Sequence, residues 1–131
     1  MHEFEISGPP IPWKAHAGYG KRSFNPRFVE KQYYQHEIKK QYSNNLPLTV
    51  AVKFDYTFYM PIPASATAKM HEMMKEGKLK HIKRPDVTNL VKMCEDCFKH
   101  IVIKDDSQVF EYCARKLYDE KPRTVVVISA A

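Results

Sequence analysis

The sequence predicts an α+β fold: one domain with a mixed β-sheet of about four strands packed against helices. Three observations lead there. Apolar and polar residues alternate strictly over residues 48–60, the period of a strand with one face on a core. Residues 89–100 carry a helical period instead, with Leu90, Cys94, Cys97, Phe98 and Ile101 on one face. Strand and helix patterns also follow one another without the regular alternation of a doubly wound βαβ fold.

The elements follow in order. Residues 1–7 alternate, with Phe4 and Ile6 opposite Glu3 and Glu5, and predict a short strand. Residues 8–27 hold Pro9, Pro10, Pro12, Gly18, Gly20 and Pro26 and predict a long loop, the kind usually tied to function. That loop mixes Lys14, Lys21, Arg22 and Arg27 with Trp13, Tyr19 and Phe24 and contains no acid. Residues 28–42 predict a helix, and 48–60 the long strand stopped by Pro61 and Pro63. A helix follows over 64–75, with Met70, Met73 and Met74 on its core face, and Gly77 ends it. The amphipathic helix 89–100 leads through residues 101–103 and the polar turn Lys104-Asp105-Asp106 into a strand over 107–116. A last strand is expected over 124–129.

Composition narrows the function. At 131 residues, 44% of them hydrophobic and 27% charged, the chain has enough apolar material for a core without disulfide staples. Three cysteines cannot all pair, which favours a reducing compartment. The longest aliphatic run, residues 125–128, is far shorter than the roughly 20 residues of a membrane span. The first residues carry acids and prolines where a signal peptide would be basic and then apolar. A cytoplasmic protein without a membrane partner is therefore expected. Lys and Arg number 21 against 15 Asp and Glu, a net charge of +6 that favours polyanionic partners. Six of those basic residues fall at 69, 75, 78, 80, 83 and 84, opposed only by Glu72 and Glu76. Such a run can be a solvated face. Here it leads straight into the acids, which makes DNA-backbone contact the better reading.

The acids gather late. The stretch Lys83-Arg84-Pro85-Asp86-Val87-Thr88-Asn89-Leu90-Val91-Lys92 opens the amphipathic helix, Asp96 lies one turn beyond Lys92, and Asp105-Asp106 follows. Asn89, Lys92, Asp96 and Lys99 share the polar face. If helix and strand pack side by side, Asp86, Asp96 and one or both of Asp105 and Asp106 can converge. Hard oxygen donors of this kind suit Mg²⁺ or Mn²⁺ bound together with phosphate. Lys92 would stabilise negative charge in a phosphoryl transition state. Each residue also has a plainer use: Asp86 as a helix N-cap, Asp105-Asp106-Ser107 as a turn, Lys92 and Asp96 as a surface ion pair. The spacing Cys94-Glu95-Asp96-Cys97 resembles half a zinc knuckle. It has no second pair, and both cysteines fall on the apolar face.

Pro85-Asp86-x-x-Asn89-Leu90-x-Lys92, Asp96, Asp105-Asp106-Ser107-Gln108-Val109 and Lys116 together resemble the RusA-type Holliday junction resolvases of bacteria and their phages. The likeness is close over residues 83–116 and looser toward both ends. It implies a small homodimeric Mg²⁺-dependent endonuclease that binds four-way DNA junctions and cuts paired strands symmetrically. On the matching positions it implies metal-binding, catalytic roles for Asp86 and Asp106, a catalytic role for Lys92, and supporting ligation by Asp96 and Asp105. Lys80, Lys83, Arg84 and Lys116, with Lys21 and Arg22 of the early loop, are the expected DNA contacts. One position departs: many members carry a second Asp where this chain has Thr88, removing one charge from the metal site. A relative that binds junctions without cutting them is the alternative this opens.

Overall fold

The computed structural model describes residues 1–15, 17–19 and 22–131, with side chains described outside 16–24. Its main sheet has four strands in the order β1-β6-β4-β5, made of β1 (His2–Ser7), β4 (Val52–Pro61), β5 (Val109–Asp119) and β6 (Arg123–Ala130). The sheet is mixed: β4 pairs antiparallel with β6 and parallel with β5, and β6 pairs antiparallel with β1. Among the described residues three α-helices accompany it, α1 (Phe28–Gln41), α2 (Ala68–Lys75) and α3 (Val87–Phe98). The predicted α+β class and mixed sheet are those observed.

One face of the sheet is the core. Phe54, Tyr56, Phe58 and Met60 of β4 are buried at every second position, as their alternation requires. Phe4 and Ile6 of β1 and Val126 and Ile128 of β6 lie beside them. From the other side come Leu90, Met93, Cys94, Cys97 and Phe98 of α3. Phe98 sits at the centre, its ring 5.0 Å from that of Phe4 and 5.6 Å from that of Phe54.

Several boundaries differ from expectation. Residues 8–27 are not all loop, because β2 (Ala17–Tyr19) and β3 (Arg22–Phe24) form an antiparallel hairpin. In the sequence, Gly20 and Lys21 separate two short segments ending in aromatics, a hairpin signal that the surrounding prolines obscured. The long strand begins at Val52 rather than at residue 48. Leu48 instead makes a lone parallel bridge to Ile103, and Val50 is exposed. Helix α2 starts at Ala68, because the Thr67 hydroxyl accepts from the Met70 N–H at 3.2 Å and caps it there. Of its methionines only Met74 is buried; Met70 faces solvent. Helix α3 starts at Val87 and ends at Phe98, since Lys99 is extended and His100 takes a positive φ of 72°. Strand β5 begins at Val109 because residues 106–108 form a 3-10 turn.

Candidate functional site

Strands β4 and β5 are parallel neighbours, so the chain must cross back between them, and α3 is the final leg of that crossover. Its start is fixed beside the late part of β5. The Lys116 ammonium donates to the carbonyls of Lys83 and Pro85, each at 2.9 Å. Burial lowers the affinity of Lys116 for its proton, and the nearby Asp86 carboxylate partly restores it. The lysine expected on DNA is thus occupied in pinning the segment that enters α3.

Asp86 stands at the N-cap position of α3, yet its side chain makes no capping bond. The carboxylate is exposed and has no hydrogen-bond or ion-pair partner among the described residues. Thr88 is the second residue of the helix, past the cap, and is exposed. On the same side, the Lys92 ammonium lies 3.6 Å from the centre of the Trp13 ring, a cation–π contact. The Trp13 N–H donates to the Asn89 carbonyl at 2.9 Å, tying the N-terminal segment to the first turn of α3.

The other acids lie at the far end of the helix. Glu95 is half-buried, and its pKa is raised, first by burial and then by the charges of Asp106 and Asp96. Asp106 opens the 3-10 turn, exposed and without a partner among the described residues. Asp105 beside it is engaged. It accepts from the Ser107 hydroxyl and N–H and forms an ion pair with Lys99 at 3.4 Å. The Ser107 bonds, aided by Lys99, hold its pKa down at about 2. Asp96 borders a cleft shared with Lys31, Lys39 and Lys99.

The structure therefore divides the acids into two groups. Glu95, Asp96 and Asp106 gather where α3 ends, while Asp86 sits at its start, nine residues or about 13 Å of helical rise away. Among the described residues no group of three or more acidic, histidine or cysteine side chains is placed to hold a metal ion. The donor chemistry still fits Mg²⁺ or Mn²⁺, which take one or two carboxylates and keep several waters. Glu95 was not legible as a site residue, although its spacing puts it on the same flank of the helix as Lys92 and Lys99.

Gln108 fixes the Asp106 turn. Its Oε1 accepts from the N–H groups of Lys104 and Asp105, each at 2.8 Å, and closes a capping box with Asp105. Its Nε2 donates to the carbonyls of Leu48 and Val50 at 2.8 and 2.9 Å. The side chain supplies bonds a strand partner would otherwise make, which is why β4 starts late. Replacing Gln108 with Ala should lower stability by about 1–2 kcal/mol, since four backbone groups lose a hydrogen bond, the Lys104 N–H and Leu48 carbonyl keeping only the 3.3 Å bond between them. A urea midpoint unchanged from wild type would show that this turn stands without it.

The basic approach is largely free. Lys78 pairs with Glu76 at 3.0 Å, whereas Lys80, Lys83 and Arg84 are exposed with no ion pair among the described residues. Lys21 lies outside the described residues. Arg22 belongs to β3 by its backbone, and its side chain lies outside them too. Cys94 and Cys97 are buried, and burial pushes the Cys97 thiol up to about 12 and Cys94 higher than its ordinary value. Both therefore stay protonated in the core. No helix of the described residues is long and apolar enough to cross a membrane.

The family model of endodeoxyribonuclease RusA matches residues 14–129. The chain belongs to the RusA endodeoxyribonuclease family. It is 34% identical over 105 residues to the uncharacterized protein YqaN of Bacillus subtilis (strain 168), covering 76% of this chain and 74% of that protein.

Proposed function

We propose that the protein is a structure-selective endonuclease that resolves Holliday junctions by symmetric cutting of paired strands, with Mg²⁺ or Mn²⁺ as cofactor. The observation that carries this reading is the state of the motif acids. Asp86 and Asp106 present carboxylates with no partner among the described residues, while the adjacent Asp105 is consumed by Ser107 and Lys99. Acids serving only as cap and turn would be bonded as Asp105 is.

Asp106, beside Glu95 and Asp96, would hold a cation at the end of α3, the bonded Asp105 supporting it by fixing the turn, and Asp86 would hold one at the start of the helix. When bound, the metal supplies polarisation of a phosphoryl oxygen and a water made more acidic. Lys92 brings a fixed positive charge to the phosphate as negative charge builds on it, and Trp13 holds that ammonium in place. Lys80, Lys83 and Arg84 draw the DNA backbone toward acids that would otherwise repel it. Lys116 fixes the segment carrying Arg84, Pro85 and Asp86.

Two symmetric cuts need two sites related by a two-fold axis, so the reading includes a homodimer. Strand β5 is an edge of the sheet and exposes Phe110 and Tyr112, an apolar surface a second copy would cover.

DNA affinity should fall steeply with salt. For about six neutralised phosphates the slope of log K against log salt should be near −5, and neutralising Lys80, Lys83 and Arg84 together should flatten it by roughly 2–3. A slope that those changes leave unaltered would return the run to a solvated face.

Thr88 favours a second reading, a relative that binds junctions and does not cut. With one charge fewer, cutting should require millimolar metal and should proceed better with Mn²⁺ than with Mg²⁺. Thr88→Asp should lower the metal concentration for half-maximal cutting, and its position in the first helical turn favours an acid there. A midpoint that stays or rises would remove position 88 from the metal site. Absence of cutting in the wild type that Thr88→Asp restores would favour the non-cutting reading.

A further inference from the structure

The N-terminal segment and the start of α3 form an open cavity beside the Asp86 site. Pro10, Pro12, Trp13 and Pro85 give it an apolar lining, and Arg84, Asp86 and Asn89 give it a polar one. Its walls are fixed. The Ile11 N–H donates to the Tyr34 hydroxyl at 3.0 Å, the Arg27 Nε donates to the Pro12 carbonyl at 3.1 Å, and Trp13 is bonded to Asn89 through its backbone. The indole is half-buried against the core, with the Lys92 ammonium over the ring and the ring also bordering the cavity.

We propose that this cavity receives a single unpaired nucleobase of the DNA, stacked on Trp13 beside the Asp86 site. The inference rests on the junction-cutting reading and names a subsite within it. A nucleobase is a flat apolar ring with a polar edge, joined through its sugar to a phosphate. The cavity offers an aromatic ring and proline rings for the faces, the Asn89 amide for the edge and the Arg84 guanidinium for the phosphate. A paired base inside a duplex hides its faces in the stack and cannot enter. A base at the centre of a four-way junction has lost a neighbour and can. Because Asp86 lines the same cavity, the base held there fixes which phosphate lies at the acids, so the cavity sets where the strand is cut.

Trp13 is the chain's one tryptophan, so tryptophan emission reports on this cavity alone. The full-length protein in EDTA is titrated with a four-way junction and with a fully paired duplex, and binding is followed in parallel by gel shift. The junction should quench Trp13 emission saturably, and the duplex should quench it less than half as much. Trp13→Leu, which keeps an apolar side chain, should weaken junction binding about tenfold while leaving duplex binding unchanged. A purely structural Trp13 would instead shift both affinities together, and that result overturns the subsite. Junction retained in the gel with unchanged Trp13 emission overturns the subsite and leaves the junction reading standing. No retention of junction at any concentration overturns both.

Discussion

Asp106→Asn and Asp86→Asn should each abolish strand cutting, by at least about a hundredfold or roughly 2.7 kcal/mol of barrier, while junction binding is retained or becomes tighter. Both side chains are exposed and bonded to nothing among the described residues, so replacing a carboxylate by an amide of the same shape disturbs no internal bond. Folding should be untouched. What changes is charge. One negative donor is lost to the cation, and the acids repel incoming phosphate less. Asp105→Asn should behave differently, because Asp105 is the anchor of the turn through Ser107, Lys99 and Gln108. A variant at 86 or 106 that still cuts at the wild-type rate would remove that residue from the catalytic set.

The largest effect on stability is expected from Phe98→Ala, a loss of about 3–5 kcal/mol. The ring is fully buried, packed edge-on against Phe4 of β1 and Phe54 of β4, so one side chain joins α3 to two strands. Phe98 also ends α3, and its carbonyl accepts from the N–H groups of Ile101 and Val102 at 3.1 and 3.0 Å. The cavity left by the ring would loosen the turn that delivers Asp106. The melting temperature should drop by about 10–20 °C. A drop of only a degree or two would mean that the sheet and α3 are held together elsewhere.

What the sequence displayed, and what it hid, follows from distance along the chain. The buried face of β4 and the apolar stripe of α3 are local periodicities, so Phe54, Tyr56, Phe58, Leu90 and Cys94 were legible as core residues. The motif acids were legible as chemistry because their residue types and spacing have few other uses together. Their grouping was not. It depends on α3 returning across β5, which sets Asp106 beside Glu95 and leaves Asp86 beside Lys116. Glu95 carries no signal in the sequence, because an acid on a helix flank is marked out only by the neighbours that the fold brings to it. The late start of β4 was hidden for the same reason, since the Gln108 amide that replaces the strand partner comes from 58 and 60 residues away. The hairpin within residues 8–27 was locally encoded, but its short strands were lost among prolines.

The central claim is that this chain cuts branched DNA symmetrically, and the most direct measurement is a strand-by-strand map of its products. A four-way junction is labelled on each strand in turn and incubated with the protein in Mg²⁺, in Mn²⁺ and in EDTA. The account predicts nicks at symmetric positions on two opposing strands, present with either metal and absent in EDTA, and no cutting of the fully paired duplex. Cutting that ignores the branch point, or cutting that persists in EDTA, would contradict it.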